Sequence, residues 1–258
     1  MFDLFSDIFT YRDNALTRID PRAKLVIALA ALIAVLTAER FVLPLFVFGI
    51  CLGTVATLRI PAKLVAARLA APLSIVAVLV VIQTFFTGTT PLFAIKLAGW
   101  QFTAKEEGLR QGVLLGIRVL GSVTVVFLLS VVTPAHRIFQ ALRWFRISEN
   151  WLEIAILMYR YIFVLMDRVA DLAAAQRLRL GYTARGRSMR SFTALAGATI
   201  IHSLEQAKRT HDAMRLRGYR GTMPFGSLPA LGRKDRLITA LCVIGIVSAR
   251  LLEWGTNR

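Results

Sequence analysis

Acidic residues are scarce in this 258-residue chain, with 15 Asp and Glu against 32 Lys and Arg and a formal net charge of +17. Charge of either sign is also sparse, at 18% of residues, where soluble domains carry about 25%. A pI of about 11.2 would fit a nucleic-acid binder, but 56% hydrophobic residues and a mean hydropathy of +0.61 do not. Disorder, collagen and disulfide scaffolds are excluded on the same numbers. Only two cysteines occur, Cys51 and Cys242. Both lie in apolar runs and read as inert buried thiols. There is no G-x-x-x-x-G-K-[ST] phosphate loop. The three histidines are His136, His202 and His211. The last two stand nine residues apart, about 900° around a helix, so they face opposite sides and cannot share a metal. No Ser/His/Asp or Cys/His set presents itself. The sequence has no legible active site, and no cofactor is expected on this chain.

What remains is an apolar chain with excess basic residues, the pattern of a multi-pass membrane protein with basic cytoplasmic faces. Residues 1–19 mix Asp3, Asp7, Asp13, Arg12 and Arg18 with aromatics, so they form no signal peptide. The first apolar run is Leu25–Ala38, after Asp20-Pro21-Arg22-Ala23-Lys24. Asp20 can cap a helix there and Pro21 suits its first turn. Glu39-Arg40 separates it from a second run, Phe41–Leu58, giving a helical hairpin. Pro61–Ala71, with Lys63 and Arg68, reads as a short interfacial helix leading into a third span at Pro72–Phe86. A Gly/Thr/Pro-rich loop follows, and Phe93, Trp100 and Phe102 suit an interfacial aromatic belt. The fourth span is Leu109–Val132, containing Arg118, and the last is Leu237–Trp254, containing Arg250. Each approaches the roughly 20 residues needed to cross about 30 Å of hydrocarbon.

Residues 133–236 change character, with 18 Lys and Arg against 7 Asp and Glu. So basic a segment stays in the cytoplasm. Four crossings before it place the N-terminus inside. The expected fold is therefore an all-α integral membrane protein with about five transmembrane helices and a cytoplasmic module of three helices. Its parts are residues 1–132 (helices 1–4), 133–222 (cytoplasmic helices) and 223–258 (linker and last span). Within the module, Pro134–Phe145 is short and amphipathic. Glu149–Leu180 is about 48 Å long and ends at Gly181, which suits a C′ glycine. In Met189–Arg217, Phe192, Ala196, Ile200, Leu204, Ala207 and Met214 mark a stripe expected to be buried.

The two long helices end alike: Ala175-Gln176-Arg177-Leu178-Arg179-Leu180-Gly181-Tyr182, and Ala213-Met214-Arg215-Leu216-Arg217-Gly218-Tyr219. Cations in a last helical turn compensate the dipole, worth about 0.3–1 kcal/mol. Two nearly identical endings point further, to paired docking points for a two-fold partner carrying carboxylates. Arg118 needs a partner inside its span. Arg250 fits snorkelling to the interface, and Arg160 a brace between the long helix and the membrane body. An autonomous secondary transporter should show repeats or midplane charges, and the spans show no repeat.

Asp20-Pro21-Arg22-Ala23-Lys24-Leu25 resembles the N-terminal signature of the T component of energy-coupling factor (ECF) transporters. Leu178-Arg179-Leu180 and Leu216-Arg217-Gly218 resemble that family's two X-Arg-X motifs. Ala184-Arg185-Gly186 matches the Ala-Arg-Gly form literally, but Arg179 ends the longer helix in the frame that parallels Arg217. Gly108-Leu109, Arg118, Met158-Tyr159-Arg160-Tyr161-Ile162 and Arg177–Tyr182 are similar to the CbiQ branch, associated with cobalt or nickel import. The resemblance covers roughly residues 15–222. It implies a non-catalytic scaffold in the bacterial cytoplasmic membrane, contacting lipid and no nucleic acid. Its implied partners are two cytosolic ABC ATPase subunits, identical or different, which bind ATP and Mg, and a membrane S component that binds the substrate. The implied ATPase contacts are Leu178, Arg179, Leu180, Leu216, Arg217 and Gly218, supported by Arg177, Arg215, Arg185 and Arg160. A biotin or other vitamin importer shares this architecture, so the substrate stays open.

Overall fold

In the computed structural model the described residues are 19–58, 60–88, 90–97, 100–145, 147–221 and 232–255. Arg12, Arg18, Arg59 and the linker at 222–231 lie outside them. The chain divides into two compact units, Met1–Ile138 with Ala230–Arg258, and Phe139–Pro229.

The first unit holds α1 (Pro21–Thr37), α2 (Val42–Thr57), α3 (Ala62–Phe86), β1 (Pro91–Leu97), β2 (Trp100–Lys105), α4 (Glu106–Val132) and α8 (Arg233–Gly255). The Asp20 carboxylate caps α1 by accepting from the Arg22 N–H at 2.9 Å, and Pro21 fills the first helical position, where no N–H is needed. α3 and α4 are each long and apolar enough to cross a membrane; α2 is apolar but shorter. The body is that of an all-α membrane protein.

Two expectations fail here. The interfacial helix and third span are one continuous helix, α3, with Pro72 inside it. Pro72 deprives the Arg68 carbonyl of its usual donor. Ala66, Ala67, Ala70 and Ala71 around it are the strongest helix formers, and hydrocarbon penalises an interrupted backbone more than one missing bond. The segment read as a loop forms an antiparallel ribbon, pairing Ala94 with Thr103 and Leu97 with Trp100. Its sequence alternates in β2, Trp-Gln-Phe-Thr, the period of a strand. The side chains of Phe93, Trp100 and Phe102, the expected aromatic belt, lie outside the described part.

Small residues set the helix packing. Ala31, Ala34, Val35, Ala38, Leu43, Cys51 and Val125 form the buried centre between α1, α2 and α4. On α4, Gly108, Gly112 and Gly116 meet Gln83, Val80 and Val76 of α3 in turn. Falling numbers against rising ones make the pair antiparallel. This four-residue glycine spacing is the small-residue stripe that lets membrane helices approach closely. Cys242, expected to be buried, is exposed on α8, whereas Cys51 is buried. An apolar run in a membrane helix has a lipid-facing side as well as a packed one.

The membrane arginines find partners that composition could not name. Arg118 donates from Nη2 to the Ala38 carbonyl, and Arg250 donates to the Thr37 carbonyl at 2.6 Å. Two guanidinium groups thus satisfy the last carbonyls of α1, at the negative end of its dipole. Arg250 also lies 3.5 Å from Glu39 and 3.6 Å from Glu253. Glu253 in turn accepts from the Leu43 N–H at 3.0 Å. Arg250 is therefore paired beside the polar α1–α2 turn, with the Thr37 carbonyl, Glu39 and Glu253 as its partners.

The second unit contains the end of α5 (Ala135–Trp144), then α6 (Glu149–Leu178) and α7 (Arg185–Leu216). Tyr161 and Thr210 share a hydrogen bond of 2.7 Å, and the Tyr219 hydroxyl donates to Glu153 at 3.3 Å. At the other end, Ser191 donates to the Gly181 carbonyl. These pairings run in opposite directions along the two helices, so α6 and α7 form an antiparallel hairpin. The stripe expected to be buried on α7 is not: Phe192, Ile200 and Leu204 are exposed, and Ala207 and Met214 alone of it line the groove against α6. Periodicity identifies an apolar face but not what covers it. Arg160 is exposed and makes no hydrogen bond or ion pair among the described residues.

Candidate functional site

The two hairpin helices terminate in the same backbone motif. At the end of α6, Arg179 is the C-cap, the Leu180 N–H donates to the Arg177 carbonyl at 3.0 Å, and the Gly181 N–H donates to the Gln176 carbonyl at 2.9 Å. At the end of α7, Arg217 is the C-cap, the Gly218 N–H donates to the Arg215 carbonyl at 3.0 Å, and the Tyr219 N–H donates to the Met214 carbonyl at 3.0 Å. Both are Schellman caps, each residue occupying the equivalent position. Arg177 and Arg215 match, as do Leu178 and Leu216, and Arg179 and Arg217. Arg185 is different. It is the first residue of α7, at the opposite pole of a helix dipole.

The residue in the left-handed conformation is Gly218 at the second end, with φ 87°, but Leu180 at the first, with φ 57°. Gly181 is therefore not the C′ residue. It is needed one position later: a Cβ there would stand 2.3 Å from Ser191 Oγ and 2.9 Å from the Gln176 carbonyl oxygen. A β-carbon at positive φ costs about 1–2 kcal/mol. Leu180→Gly is accordingly expected to stabilise the hairpin by about 1 kcal/mol, and Gly218→Leu to destabilise it similarly, both read from thermal unfolding.

The surface these caps present combines charge with grease. Leu178 is 87% exposed and Leu216 89%, more than the other large hydrophobic side chains of the described residues. Leu180 is 60% exposed. Arg177, Arg179, Arg215 and Arg217 are exposed and have no ion pair among the described residues. A bare leucine between two unpaired arginines is costly to leave in water and suited to burial in an apolar pocket rimmed with carboxylates. The second end is further pinned by Tyr219, whose pKa is raised by burial and then by the Glu153 carboxylate. The phenol remains protonated and donates to that carboxylate. No spacing in the sequence linked Tyr219 to Glu153, 66 residues away.

Residues 12–225 match the cobalt transport protein family CbiQ. The chain belongs to that family. Among its relatives is an uncharacterised protein of Methanocaldococcus jannaschii, 29% identical over 81% of this chain and 78% of its own length. The cobalt transport protein CbiQ of Rhodobacter capsulatus is 32% identical over 46% of this chain and 51% of its own length. The energy-coupling factor transporter transmembrane protein EcfT of Lactobacillus helveticus is 23% identical over 81% and 79% respectively. The CbiQ match includes both helix ends and the Asp20-Pro21-Arg22-Ala23-Lys24 entry into α1. In this CbiQ-family chain Asp20 and Pro21 work as helix starters, and Lys24 donates to the Val132 carbonyl at 3.4 Å, tying the start of α1 to the end of α4.

Proposed function

We propose that this chain is the transmembrane coupling subunit of an ATP-driven energy-coupling factor importer, serving cobalt or nickel uptake. The observation that carries the reading is the pair of equivalent helix caps, each offering unpaired arginines around an exposed leucine. A partner with two matching acidic pockets is what such a pair fits, and a dimer of cytosolic ABC ATPases supplies two equivalent sites. Family membership supports the transport role, as do relatives named for cobalt transport and for the energy-coupling factor transporter. Substrate recognition then belongs to a separate membrane S component, and ATP with Mg to the ATPases. Copurification is the test. The chain should bring the ATPases with it, and the chain alone should neither hydrolyse ATP nor bind cobalt, nickel or biotin at micromolar concentration in equilibrium dialysis. Stoichiometric binding of any of them would instead favour an autonomous transporter.

The same reading includes five membrane spans with the N-terminus in the cytoplasm and the C-terminus outside. Arg22, Lys24, Lys63, Arg137, Arg233, Lys234 and Arg236 gather at the end of the first unit where α1, α3 and α8 begin and α4 finishes. The opposite end carries Glu39, Glu106, Glu107 and Glu253 against Arg40, Lys105, Arg110 and Arg250, an even balance. Excess cations mark the cytoplasmic side. In a chain lacking Cys51 and Cys242, Phe5→Cys and Asn257→Cys should label from opposite faces of the membrane. Labelling of both from one face would reject the five-span topology.

A further inference from the structure

We propose that the basic end of the first unit binds the phosphate headgroup of an anionic phospholipid, with the acyl chains lying along α8. The cations come from three separate helix ends. Arg22 and Lys24 open α1, Arg137 stands in the first turn of α5 just beyond α4, and Arg233, Lys234 and Arg236 open α8. Lys24 lies within electrostatic reach of Arg137, Asp20 and Asp235, which brings the three ends to one place. Asp20 and Asp235 are the carboxylates at these described helix starts, against six cations. The Arg22 side chain is half-buried, and its Nε atom is buried without a hydrogen-bond partner among the described residues. A buried guanidinium N–H without an acceptor is unfavourable and favours an anion nearby.

A lipid is the occupant that the adjoining surface fits. One residue after Arg236, α8 presents Leu237, Leu241, Ile244, Val247 and Leu251 outward, all strongly exposed. Spacings of three and four make them a single stripe along the helix. Cations at the head of an exposed apolar stripe reproduce the division of a phospholipid, with the phosphate at the interface and the chains alongside. A free phosphate would use the cations but leave the stripe unexplained.

The experiment is thermal unfolding of the full chain in zwitterionic detergent, with phosphatidylglycerol, phosphatidylcholine or inorganic phosphate added. Phosphatidylglycerol should raise the midpoint by about 2–4 °C, a shift that shrinks with salt. The triple exchange Arg22→Gln, Arg137→Gln, Arg236→Gln should lose it. Removing equal charge from α7 with Arg187→Gln, Arg190→Gln, Arg209→Gln should keep it. An equal shift with phosphatidylcholine or with inorganic phosphate would overturn the proposal, as would a shift that survives the triple exchange or vanishes in the α7 control. Should the triple variant not fold, photoactivatable phosphatidylglycerol on the unaltered chain decides. Crosslinks concentrated at the starts of α1, α5 and α8 support the site, and crosslinks spread evenly over the helices reject it.

Discussion

Exchanging Arg179→Glu and Arg217→Glu together is expected to abolish association with the ATPases while the chain still inserts in the membrane. Each arginine is a helix C-cap whose backbone N–H closes the last i to i−4 bond, to Ala175 and Ala213, and an exchange of its exposed side chain leaves that backbone bond in place. Truncating one partner of a desolvated charge pair costs about 2–5 kcal/mol, at least about 30-fold in affinity for each site. Arg179→Ala and Arg217→Ala should each show that loss in pull-down, and the glutamates should add like-charge repulsion. Arg→Lys should rescue only partly, because an ammonium cannot make the planar two-point contact of a guanidinium. Leu178→Asp and Leu216→Asp should weaken binding as well, since the exposed leucines supply the apolar part of the same contact. Unchanged ATPase association in the double glutamate variant would reject the assignment of these ends. Arg185→Ala is the internal comparison and should have a smaller effect, standing at the start of α7.

A second large effect is expected within the membrane body. At Gly108 an added Cβ would stand 2.3 Å from the Gln83 carbonyl oxygen and 2.4 Å from that of Thr87. Both are backbone atoms, so no rotamer change relieves the clash, and α3 must move off α4. Gly108→Ala should therefore destabilise by about 1–3 kcal/mol or more. At Gly116 the near atom is Val76 Cγ1 at 2.7 Å, a side chain that can turn aside, and the cost should be smaller. Gly53 has nothing within 4 Å. There Gly53→Ala should be neutral or stabilise by up to about 1 kcal/mol through helix propensity. Thermal unfolding in detergent gives the order. If Gly108→Ala melted with Gly53→Ala, the close approach of α3 and α4 would be wrong.

The long helices were legible because apolar runs, Asp20-Pro21 and the paired Arg-Leu-Arg endings are local signals. What escaped depended on neighbours. Pro72 breaks a soluble-protein rule that membrane solvation overrides. Gly108, Gly112 and Gly116 are spaced as a packing stripe, and that spacing could have been read. The α7 stripe through Phe192 and Ile200 is visible as a face, yet no described residue of its own unit covers it. At the site, the residues of both helix ends could be read in register from sequence. The left-handed Leu180 could not, since only the approach of Ser191 explains why glycine is spent on position 181.

Because α6 and α7 run antiparallel, their two capped ends are held apart by the length of α7. Its 32 residues set that spacing at about 48 Å. The hairpin is thus a gauge rod of nearly fixed length. Under the proposed assembly, ATPase subunits holding its two tips cannot stretch it as they swing toward or away from each other, and their motion is expected to emerge as a rotation of the rod.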